Sequence, residues 1–289
     1  MTNYFGDIMS EDELSYTLKF NEGIMLFERD STRENRRLIY DKDRCTGCGM
    51  CVEACPTKAV YLGPLGAINK GLSDVPHISI DAEKCVLCGI CSAICLFNSI
   101  NVEIDGRSVK NNRDFVNYEG IHIFNQNKCS MKNEEKLEAC EDCMNACPRN
   151  AITFAGIKEV EDKNINTMER DEDKCVFCSA CEKACPTEAI KVNKIFDGEL
   201  VVDQEICQGC GSCKEICPTG AIYLPNYNKL WEKVPKVEVT TQICCFCSAC
   251  EKVCPVNAIT LKRSSVKYTK GEEKSWTKAW EKAFKSFVG

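Results

Sequence analysis

The cysteines of this chain fall into runs whose spacing suits an inorganic cluster. The fourth run, Cys175-Val-Phe-Cys178-Ser-Ala-Cys181-Glu-Lys-Ala-Cys185-Pro186, reads C-x2-C-x2-C-x3-C-P. Three thiolates within seven residues can converge on three irons of one cube, whereas the fourth lies beyond a short helical turn and serves the other cube of a pair. The proline cannot continue a helix, so it turns the chain out. The motif therefore predicts paired cubane [4Fe–4S] clusters.

Six runs of this kind use 24 of the 25 cysteines. The second run has Leu96 in place of proline, and the third carries a ten-residue insertion at 130–139. The two-cluster rule predicts six ligand sets and six [4Fe–4S] clusters. The sets are Cys45, Cys48, Cys51 and Cys95; Cys85, Cys88, Cys91 and Cys55; Cys129, Cys140, Cys143 and Cys185; Cys175, Cys178, Cys181 and Cys147; Cys207, Cys210, Cys213 and Cys254; and Cys244, Cys247, Cys250 and Cys217.

Two other uses of dense cysteine fit less well. Disulfides suit secreted chains, but Met1–Ser10 has no basic segment followed by an apolar run, and cysteines this close suit a metal better than several bridges. Zinc ribbons use pairs of C-x2-C, not a C-x2-C-x2-C-x3-C run with proline. Iron–sulfur ligation is therefore favoured over both.

Two cysteines leave alternatives open. Cys129 serves as a ligand if the insertion bulges between the first two ligands of the run. In the other interpretation a water takes its place, or the iron keeps an open site with catalytic use. Cys245 lies outside the six sets, where it serves as a small buried hydrophobic residue or takes part in a ligand swap. Lost ligands should weaken two sites at once, because each pair of clusters shares both halves of its module.

Short apolar segments flank each run and predict a strand before it and a return strand after it. The glycine-punctuated stretch 63–71 predicts a loop, and an acidic stretch to Asp173 leads into the fourth run. The fold class is thus α+β, a tandem array of three bacterial-type ferredoxin modules with two clusters each. The shared segment Phe-Cys-Ser-Ala-Cys-Glu-Lys at 177–183 and 246–252 indicates internal duplication. The expected divisions are an N-terminal extension (1–36), module 1 (37–106), a polar loop at 105–118, module 2 (119–195), module 3 (198–263) and a C-terminal amphipathic helix (264–289).

The two ends of the chain each permit two interpretations. Leu18–Phe20 and Ile24–Phe27 predict two strands joined by a turn, which form either a partner-binding arm or a cap on module 1. Trp276, Trp280, Phe284 and Phe287 share one face of the C-terminal helix. That face either packs on the chain itself or enters a groove on a partner.

Composition excludes several functions. The net charge of −6 becomes more negative with thiolate-bound clusters, which disfavours nucleic acid and anionic membranes and favours basic docking faces on proteins. No apolar run approaches the roughly 20 residues of a membrane span, so we expect no membrane insertion and a cytoplasmic location. His77 and His122 lie in predicted strands and suit structural roles. The sequence contains neither the dinucleotide-binding motif G-x-G-x-x-G nor the phosphate-binding motif G-x-x-x-x-G-K-[ST]. We expect a chain that moves single electrons and is no enzyme by itself.

The region 40–263 resembles the polyferredoxins of methanogenic archaea. In module 1, Leu62-Gly-Pro-Leu-Gly-Ala-Ile68 with Gly71 and then Ile78-Ser-Ile-Asp81 is similar to the polyferredoxin subunits (F) of tungsten- or molybdenum-containing formylmethanofuran dehydrogenases. Members carry four modules, whereas this chain has three. The resemblance implies an anaerobic methanogenic archaeon and an oxidoreductase complex in which the chain carries low-potential electrons to the subunit that reduces CO2. A heterodisulfide reductase complex or a ferredoxin would be the donor.

Three alternative functions are compatible with the same cysteines. The nearest is the polyferredoxin of a hydrogenase complex, which would copurify with a nickel–iron subunit. A catalytic iron–sulfur protein with an open iron at the third run is another class. A storage or assembly scaffold is the last, and rapid loss of clusters to an apo acceptor would distinguish it.

Overall fold

Module 1 contains two short helices that each follow a cysteine loop. The computed structural model describes residues 15–110, 112–129, 140–160, 163–226, 234–272 and 274–289. The elements of the first part are β1 (Ser15–Asn21), β2 (Ile24–Asp30), β3 (Asn35–Asp41), α1 (Met50–Ala54), β4 (Val60–Leu62), α2 (Leu65–Asn69), β5 (Ile78–Ile80), α3 (Ile90–Ala93), β6 (Ile100–Ile104) and β7 (Arg107–Ser108).

The N-terminal strands belong to the sheet of module 1. They form an antiparallel hairpin through Glu22 and Gly23, both with left-handed φ, and β2 pairs along the whole of β3. The sheet order is β1-β2-β3-β6-β7. Met25 and Phe27 are buried. The described part of the extension, from residue 15, therefore forms the cap on module 1 rather than a separate arm, because alternate β2 side chains complete its core.

The glycine-rich stretch 63–71, predicted as a loop, contains helix α2 instead. Pro64 precedes the helix and Leu65 is buried in it, so one proline and one apolar anchor suffice to order the turn. Gly71 follows with a left-handed φ of 67°. The prediction of loop was wrong because the glycines concealed this short helix.

Module 2 has a longer hairpin than the sequence indicates. Its elements are β8 (Asn117–Tyr118), β9 (Ile121–Phe124), α4 (Asp142–Asn145), β10 (Ile152–Val160), β11 (Lys163–Arg170), α5 (Ala180–Ala184) and β12 (Ile190–Asn193). The acidic stretch before Asp173, predicted as a lead-in, is strand β11 paired with β10 from Ile152↔Arg170 to Val160↔Lys163. Polar residues on such an exposed hairpin mask its strand pattern. The inserted segment 130–139 lies outside the described residues.

Module 3 and the C-terminal region complete the chain. Their elements are β13 (Phe196–Val202), α6 (Ser212–Glu215), β14 (Ile222–Tyr223), β15 (Glu238–Val239), a 3-10 turn (Thr241–Ile243), α7 (Ala249–Val253), β16 (Ile259–Val266), β17 (Tyr268–Thr269) and α8 (Lys274–Lys285). None of the described helices is both long and apolar enough to cross a membrane.

All three modules repeat one plan. The strand entering the first half pairs with the strand leaving the second half, as β3–β6, β9–β12 and β13–β16. The return strand of the first half pairs with the entry strand of the second, as β4–β5, β10–β11 and β14–β15. The two cysteine helices of each module touch across this pseudo-twofold, as α1–α3, α4–α5 and α6–α7. The plan brings the fourth cysteine of each half toward the other half.

The modules do not lie simply in a row, as sequence order suggests. Helix α2 of module 1 contacts α6 and α7 of module 3. Across this interface Asn69 donates to Ser212 O at 2.9 Å and Lys252 pairs with Glu53 at 2.7 Å. Module 1 also contacts module 2, since Asn98 donates to Asp173 O at 2.9 Å. Non-local contacts of this kind leave no pattern in the local sequence.

The described part of the segment 105–118 contributes two residues to the core. Val109 and Val116 are fully buried, and β6 and β7 form a hairpin across the expected boundary at 106. Strand β8 pairs with β17 near the end of the chain. Most of the described segment is turn and loop, as predicted. Two isolated valines in a polar stretch were too weak a signal to predict the buried positions within it.

The C-terminal helix packs on its own chain. Trp280, Phe284 and Phe287 are buried, and the Trp280 ring stacks on Phe115 at 5.0 Å. Phe284 meets the Tyr118 ring edge-on at 4.8 Å. The described part of the aromatic face therefore has an intramolecular partner; the side chain of Trp276 lies outside the described residues.

Candidate metal centres

Five of the six runs share one loop conformation. The residue two positions after the first cysteine has a left-handed φ, with values from 52° to 67° at Gly47, Leu87, Phe177, Gly209 and Phe246. Two residues later the conformation recurs, at Gly49, Gly89, Ser179, Gly211 and Ser248. Alternation of this kind turns successive N–H groups inward and makes an anion-binding concavity.

The first cysteine of a run receives one of these N–H groups. Gly209 N donates to Cys207 Sγ at 3.4 Å, and Phe246 N donates to Cys244 Sγ at 3.3 Å. Leucine and phenylalanine in a left-handed conformation are strained, so tertiary contacts must hold them there. Of the three bulky residues at this position, Leu87 and Phe246 are buried and Phe177 is partly buried.

The fourth cysteine of five runs accepts a hydrogen bond from a backbone amide that the sequence did not indicate. The amides of Ala59, Ala151, Ala189 and Ala258 each donate at 3.2 Å to the fourth thiol, four residues earlier. These alanines are all buried, so a larger side chain has no room beside the sulfur. In the second run Ser99 takes this place, with its amide 3.4 Å from Cys95 Sγ. A small residue four positions after each fourth cysteine is the signal that could have revealed this contact.

The structure brings four complete sets of predicted ligands together. Burial raises the pKa of Cys51 well above its usual value, and repulsion from Cys48, Cys45 and Cys95 raises it further. Burial also raises the pKa values of Cys91, Cys181 and Cys250. In each case repulsion from the other three members of the set adds to the effect. Such repulsion indicates thiols that lie near one another, and it also reaches the other set of the module, as from Cys91 to Cys51 and from Cys213 to Cys250. The sets thus grouped are Cys45, Cys48, Cys51 and Cys95; Cys55, Cys85, Cys88 and Cys91; Cys147, Cys175, Cys178 and Cys181; and Cys217, Cys244, Cys247 and Cys250.

In the remaining two sets the structure groups the three cysteines of the run. Burial raises the pKa of Cys143 to about 11, with added repulsion from Cys129 and Cys140. Burial likewise raises the pKa of Cys213 to about 11, and Cys210 and Cys207 add to it. Cys129 thus lies with its run despite the insertion. That Cys185 and Cys254 complete these sets stays a prediction.

Sites of different modules meet at Cys245. The Cys245 side chain is 5% exposed and hydrogen-bonds to Cys247, and the thiol of Cys178 in module 2 is near enough to raise its pKa. Cys247 in turn raises the pKa of Cys48 in module 1, after burial the largest cause there. The first, fourth and sixth sets are therefore neighbours in space. Cys245 is buried as one interpretation expected; the ligand swap is untested.

His122 lies in β9, as predicted, whereas His77 immediately precedes β5. Their structural roles stay predictions. Burial lowers the pKa of His77 and also of His122. His122 Nε2 lies 3.5 Å from Cys181 Sγ, a contact that the sequence did not indicate. A proton on Nε2 would let the ring donate to that sulfur.

The donor set fits iron–sulfur clusters. Thiolates are the soft ligands that such clusters require, and backbone N–H groups already face several of the sulfurs. A buried thiol with a raised pKa stays protonated unless a positive core offsets the thiolate charge. Among the described residues, no three His, Cys, Asp or Glu side chains are arranged for a single metal ion.

Family models match most of the cysteine-bearing chain. A model of the 4Fe-4S dicluster domain matches residues 21–59, 44–99, 138–189 and 206–258, and a second of the same description matches 167–218. The chain belongs to the 4Fe-4S dicluster domain family. The predicted α+β array of dicluster ferredoxin modules is thereby confirmed, and so is the presence of 4Fe–4S clusters.

Relatives of this dicluster protein include polyferredoxins. It is 32% identical over 91 residues to polyferredoxin protein FwdF of Methanocaldococcus jannaschii, covering 32% of this chain and 25% of that protein. It is 42% identical over 88 residues to pyruvate synthase subunit PorD of Methanothermobacter marburgensis, covering 28% of this chain and 91% of that subunit. The first match spans only a quarter of its relative's length.

A solved structure resembles nearly the whole dicluster chain. It is a chain of the formate dehydrogenase–heterodisulfide reductase–formylmethanofuran dehydrogenase complex from Methanospirillum hungatei, at 31% identity and a TM-score of 0.77. The match covers 93% of this chain and 91% of that chain. The predicted resemblance to the polyferredoxins is confirmed by these matches.

Proposed function

We propose that this chain is a polyferredoxin subunit that conducts low-potential electrons within a formylmethanofuran dehydrogenase complex. The observation that carries the proposal is the match, along almost the full length of both chains, to a chain of a complex that contains that enzyme. The shorter match to a polyferredoxin supports it. In this role the chain moves electrons and another subunit performs the bond chemistry.

We further propose that the chain holds six [4Fe–4S] clusters in the six ligand sets predicted from its sequence. The grouping of thiols supports four complete sets. For the third and fifth sets it supports the three cysteines that come from a single run. Each cluster supplies reversible one-electron transfer when bound. The residues of the chain bury the sulfurs, donate N–H groups to them and exclude water. These contributions set the potential at each site.

The proposed partners are the other subunits of formylmethanofuran dehydrogenase, with heterodisulfide reductase or a ferredoxin as the electron donor. The Methanospirillum complex joins a heterodisulfide reductase to a formylmethanofuran dehydrogenase, which supports this choice. The neighbouring first, fourth and sixth sets offer a compact centre that joins all three modules. A chain with this arrangement suits a connection between several redox proteins.

Affinity purification without oxygen tests the assignment. A tagged chain expressed in its own host should retain a subunit that carries tungsten or molybdenum on a pterin, identified by mass spectrometry and metal analysis. An untagged strain is the control for adventitious binding. Recovery of a nickel–iron hydrogenase subunit in place of the pterin subunit would contradict the proposal and favour the hydrogenase alternative.

A further inference from the structure

Arg263 on β16 holds both left-handed residues of the sixth cysteine loop. Its Nε donates to Phe246 O at 2.8 Å, and its Nη2 donates to Ser248 Oγ at 2.7 Å. Phe246 and Ser248 have φ of 53° and 75°, a conformation that neither residue favours. One guanidinium therefore fixes the loop that places Cys244, Cys247 and Cys250.

The guanidinium is enclosed by aromatic rings. Arg263 is 6% exposed, and its charged carbon lies 5.1 Å from the Phe196 ring centre and 5.6 Å from that of Phe287. Ring faces stabilise a cation but carry no net charge. Phe287 follows the C-terminal helix, whose packing therefore closes the pocket around Arg263.

A matched arginine in module 1 shows what is unusual about this site. Arg36 Nη1 donates to Leu87 O at 3.2 Å, the same loop position in the second run. Arg36 also pairs with Glu34, with Nε 2.7 Å from Oε1. Within the described parts of the chain, no carboxylate lies within 4.0 Å of the Arg263 guanidinium in a comparable pair.

A buried cation without a carboxylate needs another source of negative charge. The loop that Arg263 holds supplies the thiolates of the sixth set. Its two acceptors, Phe246 O and Ser248 Oγ, belong to the residues on either side of Cys247. Arg263 therefore acts on the set that also adjoins the first and fourth sets.

We propose that Arg263 is a positioning residue that raises the reduction potential of the cluster held by Cys244, Cys247, Cys250 and Cys217. The inference rests on the proposed function only in requiring a [4Fe–4S] cluster there. Reduction by a low-potential one-electron donor adds one electron and makes the cluster with its thiolates one charge more negative. A fixed positive charge in a site without water stabilises that reduced form most. The site where three modules meet would thus collect electrons preferentially.

The test compares Arg263→Gln with Arg263→Lys and Arg36→Gln in the full chain, purified without oxygen. Iron and sulfide are counted first, and reduction is then followed by potentiometric titration with electron paramagnetic resonance. In Arg263→Gln, one reduction step should move to more negative potential, and its signal should integrate to one cluster per chain. At the original midpoint its reduced-to-oxidised ratio should fall by at least about tenfold. Arg263→Lys should restore it, and Arg36→Gln should leave that transition in place because Arg36 holds the second cysteine loop and not the sixth.

A second pair of variants keeps the test decisive if Arg263→Gln loses iron. Phe287→Glu brings a carboxylate to Arg263 without removing the arginine, and Phe287→Gln is its uncharged control. The glutamate variant should titrate at more negative potential than the glutamine variant. Equal potentials in this pair, or an Arg263→Lys shift as large as that of Arg263→Gln, would overturn the proposal and leave a purely structural role.

These measurements separate the inference from the proposed function. They use the isolated chain and need no dehydrogenase partner. A chain that binds its clusters and responds to Arg263 variants but copurifies with another enzyme would refute only the proposed partner. A chain that shows the expected partner but no response to the variants would refute only the role of Arg263.

Discussion

The third and sixth cysteine runs share the spacing C-x2-C-x3-C-P after their first cysteine, but their surroundings are opposite. In the sixth, Cys244, Cys247 and Cys250 are buried, and helix α7 buries three of its residues. In the third, Cys129, Cys140 and Cys143 are all partly exposed, and helix α4 buries none. The residue before the helix is left-handed Ser248 in one loop and Glu141 with φ −115° in the other. The difference teaches that spacing defines ligands, while tertiary contacts define the cavity around them.

Removing one ligand from each loop should give the largest contrast. Cys250→Ala deletes a thiol in the shared core, so we expect loss of more than the roughly four irons of one cluster and a lower yield of folded chain. Cys143→Ala should lose about four irons, weaken the second cluster of module 2 and leave the other modules intact. Iron and sulfide analysis with thermal unfolding measures both. Equal losses in the two variants would remove the distinction between a central and a peripheral loop.

Trp280→Ala should be the most destabilising change that touches no cysteine. The ring is 1% exposed and packs on Phe115 and against Gly89 of the second loop, so its removal leaves a large cavity. We expect a loss of about 3–5 kcal/mol in the free energy of unfolding. Chemical unfolding without oxygen measures it. A loss under about 1 kcal/mol would show that the C-terminal helix does not stabilise the core around these loops.

A methyl group at Gly198 should disturb the sixth loop in particular. A Cβ there would lie 2.3 Å from Lys262 O and 3.2 Å from the Phe246 ring. The nearest atom belongs to the backbone, which cannot move aside easily. Gly198→Ala should therefore lower the free energy of unfolding by about 1–3 kcal/mol. Gly66→Ala is the matched control, since a Cβ there meets nothing within 4 Å. If the two variants unfold alike, the close approach of β13 to β16 is not needed for the loop.

The ion pair between modules 1 and 3 should have the smallest effect. Lys252 and Glu53 are 31% and 42% exposed, so solvent screens their attraction. A double-mutant cycle with Lys252→Gln and Glu53→Gln should give a coupling of about 0.2–1 kcal/mol that falls as salt rises. A coupling above about 2 kcal/mol, insensitive to salt, would mean that this contact rather than apolar packing joins the modules.

The sequence predicts what is local and misses what is distant. Cysteine spacing and the flanking apolar segments suffice for the loops and their strands, because each ligand set begins within seven residues. The contact of α2 with α6 and α7 joins residues far apart in the chain, and no periodicity records it. Val109 and Val116 are fully buried, but two isolated valines in a polar stretch do not by themselves predict a core position. Buried Ala59 and its counterparts repeat with the cysteines, but an alanine side chain has no chemistry of its own to indicate an amide contact to sulfur.

The iron content of the intact chain tests the central claim most directly. Chain purified without oxygen should contain about 24 iron atoms and as many acid-labile sulfides per polypeptide, as six [4Fe–4S] clusters require. A handful of irons, or zinc in their place, would contradict the assignment of the six cysteine sets.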